Sequence, residues 1–314
     1  MQTLNPESWT RLRDKDMPDR IGQVPDELMH HIRRVNQATG HPSVPSRVEA
    51  PVDFLQDLRG AMTELPVFLQ NLLDAPLLGI FLARGLGCSA VTDVVVHADK
   101  AIGAVIALDV EVLQSRSANT WATWKENEPF SADESAQLLV TIETPEQDVR
   151  KNAIQFILLH EIGHVLTAGS KFLPDWWINP RELKRACDYS YLEFSWQIDV
   201  NRQIVPNESC KFPMRNRLAF YTGALITTDS LDRLYEELSA TSFATLYAAN
   251  NAYEDFAECF ALYVHTVVMN RPYQIEISGD RTRVLSDKQS VEARCGMKYA
   301  FLKGLFSEAQ SQLQ

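Results

Sequence analysis

The chain has 314 residues, 45% of them hydrophobic and 23% charged, a composition that supports a sizeable packed core in one large domain or two lobes. Its net charge of −11 and isoelectric point near 5.2 argue against nucleic acid or an anionic membrane as the main partner, because a field of that sign repels both. Five scattered cysteines without a CxxC pair argue against a disulfide scaffold and for a reducing compartment.

The first residues, MQTLNPESWTRLRDKDMPDR, alternate charges where a secretory signal needs an unbroken apolar core, so a cytoplasmic protein is expected. Residues 1–85 read as an N-terminal helical region with proline-containing joints, the clearest running from His41 to Pro51. His30, His31 and His41 have no partner spacing that suggests a site and read as surface or packing residues. The most lipophilic stretch, LPVFLQNLLDAPLLGIFLARGLG, is interrupted by Asn71, Asp74, Pro76 and Arg84, so no membrane span fits. It predicts two short buried helices, or one helix before a turn at Gly85 and Gly87.

Val91–His97 and Gly103–Leu113 are rich in valine and isoleucine and predict strands. A third short run, LLVTIE, leads towards the segment AIQFILLHEIGHVLTA. Around that segment Thr144 reads as an N-cap, Pro145 as the first helical residue, Gln147 as N3 and Gly169 as the C-terminal cap. Val149, Ile154, Ile157, Leu158, Ile162, Val165 and Leu166 supply the surface of a buried helix. On such a helix His160 and His164 leave the same face one turn apart and can grip one metal ion, with Glu161 leaning over it. Strands before the helix suit a sheet packed on it, one edge strand lining a cleft.

From Ser170 to Ser242 the pattern is irregular, and Trp176, Trp177, Tyr189, Tyr191, Phe194 and Trp196 read as core aromatics. A second helical segment, AYEDFAECFALYVHTVVM, ends before Pro272. A hairpin is expected around Gly279-Asp280, then a terminal helix from Lys288 to Leu313.

Two histidines leave zinc under-coordinated, and a catalytic site typically carries three protein ligands. HEIGH continues VLTAGSKF, which excludes a third histidine at the metzincin position. Glu254 is the best downstream donor, with Glu258 one helical turn further on the same face. One carboxylate can bind metal while the other orients a ligand histidine. His265 lies about three turns from Glu254, too far to share an ion, and reads as structural. Asp255 points a quarter turn away and reads as a surface or helix-stabilising acid. Cys259 reads as packing, and Tyr253 as a weaker hydroxyl donor than Tyr247.

HEIGH followed far downstream by Glu-x-x-x-Glu resembles the Glu-zincin superfamily of metallopeptidases. More narrowly, the segment from Tyr247 through Asn251 and Glu254 to Glu258 is similar to that of the anthrax lethal factor protease domain and related zinc peptidases. In that group a tyrosine stands seven residues, and an asparagine three, before the ligand glutamate. The resemblance implies an α+β, zincin-like fold over residues 86–314, mainly helical. A small mixed sheet would pack on the HExxH helix within 86–169, and a helical C-terminal lobe would carry the third ligand within 170–314. It implies one Zn2+ per chain on His160, His164 and Glu254, with Glu161 as general base and Tyr247 assisting the transition state. Glu258 and Asn251 would support the ligands from behind. The expected activity is zinc-dependent hydrolysis of a peptide or protein substrate. The same residues would serve a zinc-dependent non-peptide amidase. A catalytically silent zincin-fold binding or regulatory protein is the third reading, and Glu161 weighs against it because a purely structural site does not need that carboxylate.

Overall fold

In the computed structural model, residues 9, 11–98, 100–131, 137–221, 223–278 and 282–311 are described. The architecture is α+β, with helices around small sheets. Two units interleave along the chain, one formed by residues 1–117 and 149–169, the other by 118–148 and 170–314. The boundary expected after residue 85 falls inside the first unit, between two strands of one sheet.

That sheet contains β1 (Ile21–Gln23), β2 (Ser46–Arg47), β3 (Leu77–Arg84), β4 (Ala90–His97) and β5 (Lys100–Asp109). Their order is β1-β3-β5-β4, with β2 also paired to β3. β3 runs parallel to β1 and β5, whereas β2 and β4 run antiparallel to their neighbours. The helical reading of Leu77–Arg84 is corrected here. Seven of its eight residues are buried, and a strand covered on both faces reads as a continuous apolar run that periodicity cannot tell from a buried helix. Leu78 and Phe81, with Val95 of β4 and Val105 and Ala107 of β5, form one cluster with Trp9 and with Leu28, Met29 and Ile32 of the helix Asp26–Thr39. Strand alternation turns Ile106 and Leu108 to the opposite face. The HEIGH helix, Arg150–Thr167, packs on β4, on β5 and on the helix Val52–Thr63. Arg150 ties it to Asp57 at 2.6 Å and Asp53 at 2.8 Å, and Gln155 Nε2 donates to Ala61 O at 3.0 Å.

Two boundaries differ from expectation. β5 stops at Asp109 rather than Leu113, because the Asp109 carboxylate caps a short helix, Val110–Gln114, accepting from Glu111 N at 3.0 Å and Val112 N at 3.1 Å. The HEIGH helix begins at Arg150, not after Thr144. Pro145–Gln147 is instead a turn closed by Gln147 N donating to Thr144 O, and Asp148 accepts from Asn119 N at 2.8 Å, so the chain enters the helix through an extended Val149. Gly169 adopts φ +69° just past the end, the left-handed position where a Cβ is strained.

In the second unit β6 (Gln137–Thr141), β9 (Gln274–Ser278) and β10 (Arg283–Asp287) form an antiparallel sheet ordered β10-β9-β6, and β7 (Trp196–Ile198) pairs with β8 (Ile204–Pro206). The expected hairpin is the β9–β10 pair; residues 279–281 at its tip lie outside the described residues. The free edge of β6 is covered by the helix Ala118–Asn127. Asn127 exchanges bonds with Leu138 N (3.1 Å) and O (3.0 Å), Thr123 Oγ1 accepts from Val140 N at 2.9 Å, and Asn119 Oδ1 accepts from Ile142 N and Glu143 N. Four helical residues rise about 6 Å, close to the roughly 6.7 Å spanned by two strand residues, so side chains one turn apart can stand in for a missing strand. That edge is thereby closed to a further strand.

The expected terminal helix is two helices, Lys288–Arg294 and Gly296–Ser311, broken at Cys295; Leu313 lies outside the described residues. Tyr189, Tyr191 and Trp196 are core residues as expected, whereas Trp176, Trp177 and Phe194 are only half-buried. Asp255 is corrected from a surface acid to a fully buried one: Lys298 Nζ lies 2.6 and 2.8 Å from its two oxygens and Trp196 Nε1 3.0 Å away. The quarter turn that separates it from Glu254 points into the protein because the helix Gly296–Ser311 packs there. All five cysteines are free thiols, and Cys259 is buried. Among the described residues no helix is long and apolar enough to cross a membrane.

His265 is structural. It sits on a π-helical turn, Val264–Val268, with its Nε2–H donated to Ile142 O at 2.7 Å. Burial lowers its pKa to about 4. Because the folded value lies below the unfolded one of about 6.5, its stabilising contribution is complete above pH 6.5 and is lost as pH falls from there towards 4. The wild-type advantage in unfolding free energy over His265→Gln is expected to shrink by about 3 kcal/mol between pH 7 and pH 4. Urea titrations at the two pH values measure it, and a constant difference would contradict the assignment.

Candidate metal centre

The HEIGH helix brings His160 Nε2 and His164 Nε2 to 3.2 Å, with the ring planes nearly perpendicular and the centroids 5.0 Å apart. Two nitrogens bonded at 2.0–2.1 Å to one tetrahedral zinc stand roughly 3.3 Å apart. The pair therefore already has the spacing of two ligands on a single ion. Glu161, between them in sequence, is buried. Its Oε2 accepts a 2.6 Å hydrogen bond from Thr92 Oγ1 on β4.

Glu254 stands in the first turn of the helix Ala252–Tyr263. Asn251 is the N-cap, its Oδ1 accepting from Tyr253 N and Glu254 N, each at 3.0 Å. Asn251 thus fixes the backbone that carries Glu254, and a carboxylate in a first helical turn is favoured by the helix dipole. The candidate donors are thus two imidazoles on one helix of the first unit and, in the second unit, a carboxylate presented in the first turn of a helix. Two imidazoles and one carboxylate are a donor set that suits zinc with a coordination position left open.

Glu258, one turn beyond Glu254, is buried and accepts from Lys125 Nζ at 2.6 Å and Thr245 Oγ1 at 2.7 Å. Tyr247 lies on a 3-10 turn, Tyr247–Ala249, half-buried, with Phe220 edge-on at 4.8 Å and the Lys125 ammonium 4.5 Å from its ring centroid. Lys125 therefore joins Glu258 to the face of Tyr247 through one cation. Tyr253 instead packs edge-on against Trp176 at 5.7 Å, and burial raises its phenol well above the ordinary value.

Thr92 and Lys125 escape a reading of motifs. Each nonetheless leaves a trace: Thr92 is the polar residue sharing a strand face with Val94 in AVTDVVVH, and Lys125 is a charge inside the aromatic segment WATWKEN. Comparisons with protein-family models, curated proteins and solved structures return no match to this chain.

Proposed function

We propose that the chain is a zinc-dependent hydrolase of peptide bonds with a zincin-like fold, in which His160, His164 and Glu254 hold one Zn2+ and Glu161 is the general base. The observation that carries this reading is the pair of imidazole nitrogens that one helix already holds at the spacing of two ligands on a tetrahedral ion. A zinc ion held there supplies Lewis acidity, lowering the pKa of a water molecule to about 7 and polarising an acyl oxygen. Glu161 accepts the proton of the attacking water and delivers it to the leaving amine. Tyr247 donates a hydrogen bond to the developing oxyanion. A peptide substrate is favoured over a small amide by β4, an edge strand paired only to β5 among the described residues. An extended chain can add to such an edge through backbone hydrogen bonds.

Metal analysis of wild type and Glu254→Gln, run alongside identification of the peptide termini each generates, tests the proposal. One zinc per wild-type chain is expected, with both the zinc and the cleavage lost in the variant. Undiminished zinc in Glu254→Gln would remove the third ligand, and a zinc-loaded wild type that generates no new termini would remove the reaction.

A further inference from the structure

We infer that Thr92 is the positioning residue of the general base, holding one carboxylate oxygen of Glu161 so that the other is left for the attacking water. The inference rests on the hydrolase reading above, but its geometry stands within the first unit. Thr92 Oγ1 lies 2.6 Å from Glu161 Oε2 and 3.3 Å from Glu161 O. The hydroxyl has a single proton, and the shorter, charge-assisted contact takes it. Thr92 itself is held from two sides. Its strand pairs with β5 in register, Thr92 opposite Ile106. The next residue, Asp93, points to the other face of the sheet, where His31 Nε2 donates to Asp93 Oδ2 at 2.5 Å while Asp93 Oδ1 accepts from Val94 N at 2.8 Å. The peptide bearing Thr92 is thus held by the β5 ladder along one side and by the Asp93 contacts on the face away from Glu161.

A glutamate has three rotatable side-chain bonds, and a base displaced by about 1 Å can lose on the order of 100-fold in rate. The Thr92 hydroxyl removes that freedom at Oε2. When Glu161 takes the proton at Oε1, Oε2 remains an acceptor, so the Thr92 O–H bond survives the transfer. Thr92 moves no proton and touches no substrate atom.

Thr92→Val and Thr92→Ser separate this role from packing. Valine keeps the branched shape that suits a strand and removes the donor, whereas serine keeps the donor and removes a methyl. In zinc-loaded Thr92→Val, kcat is expected to fall roughly 10- to 100-fold, with KM within about two-fold, the pattern of an interaction that matters in the transition state rather than in substrate binding. Zinc content stays unchanged, and Thr92→Ser recovers most of the lost kcat. Crystal structures of the metal-free variants give the independent readout: the Glu161 carboxylate leaves its present position in Thr92→Val and keeps it in Thr92→Ser. An unmoved carboxylate in Thr92→Val, or wild-type kcat in that variant, overturns the inference. Absence of hydrolysis by zinc-loaded wild type would instead sink the hydrolase reading, while the crystallographic comparison would still decide whether Thr92 positions Glu161.

Discussion

Glu161→Gln is expected to keep one zinc per chain and to lose roughly two to four powers of ten in kcat, the range that a positioned acid–base group supplies. The substitution is nearly isosteric. Its amide oxygen can still accept the Thr92 hydroxyl that now reaches Glu161 Oε2 at 2.6 Å, so placement is retained while proton transfer is removed. The buried site also loses a negative charge, which removes a desolvation cost and leaves no reason for unfolding. Metal analysis and steady-state kinetics on the same purified sample measure the two quantities. Full activity in Glu161→Gln would contradict the general-base assignment, and loss of zinc would mean that Glu161 helps to hold the ion instead. The contrast with Thr92→Val is quantitative, because misplacing a base leaves some proton transfer and deleting it leaves none through that group.

The parts of the fold that could be read from the sequence are those specified by local rules. The HEIGH helix and its glycine stop follow from apolar spacing and a left-handed cap, and Gly169 is found at φ +69°. The start of that helix is not legible because Thr144-Pro145 satisfies the capping pattern equally well as a turn, and the choice is made by Asp148 meeting Asn119, a contact 29 residues distant. β3 is not legible for a different reason, since LLGIFLAR is covered on both faces and carries no period. The helix that closes the edge of β6 was out of reach as well: Asn119, Thr123 and Asn127 look like ordinary polar positions until the backbone groups they meet are known. The candidate site divides in the same way. His160, Glu161 and His164 are set by helical spacing alone, and Glu254 stands four residues before Glu258 on a second helix. The side chains that meet these residues, Thr92 at Glu161 and Lys125 at Glu258, come from distant elements of the chain and have no spacing to give them away.

Lys298→Met is expected to destabilise the protein by about 3–5 kcal/mol, the cost of leaving a buried charge without its partner. Asp255 and Lys298 are 0% and 1% exposed. The ammonium also donates to Ser242 O at 2.7 Å and lies 5.4 Å from the Phe243 ring centroid. Burial pushes the Asp255 carboxyl up, towards the neutral acid, while Lys298 is raised because Asp255 and the nearby thiols outweigh the opposing effect of burial. These two directions disagree about whether the pair is charged, and the contacts decide it. A neutral acid must offer its own O–H to an acceptor, yet Lys298 Nζ and Trp196 Nε1 both donate to Asp255. The carboxylate is therefore ionised and the pair is a true ion pair. Asp255→Leu leaves the opposite charge stranded and is expected to cost a similar amount. The double variant Asp255→Leu/Lys298→Met strands neither, and is expected to recover most of the loss, because apolar side chains of similar volume often replace a buried pair at little cost. Denaturant unfolding of the four proteins in this cycle gives the coupling directly. Additive losses in the double variant would show that packing of the two side chains, rather than mutual neutralisation, holds the helix Ala252–Tyr263 against the helix Gly296–Ser311. Recovery would instead show that the single-variant losses come from stranding one buried charge, inside the helix that also presents Glu254.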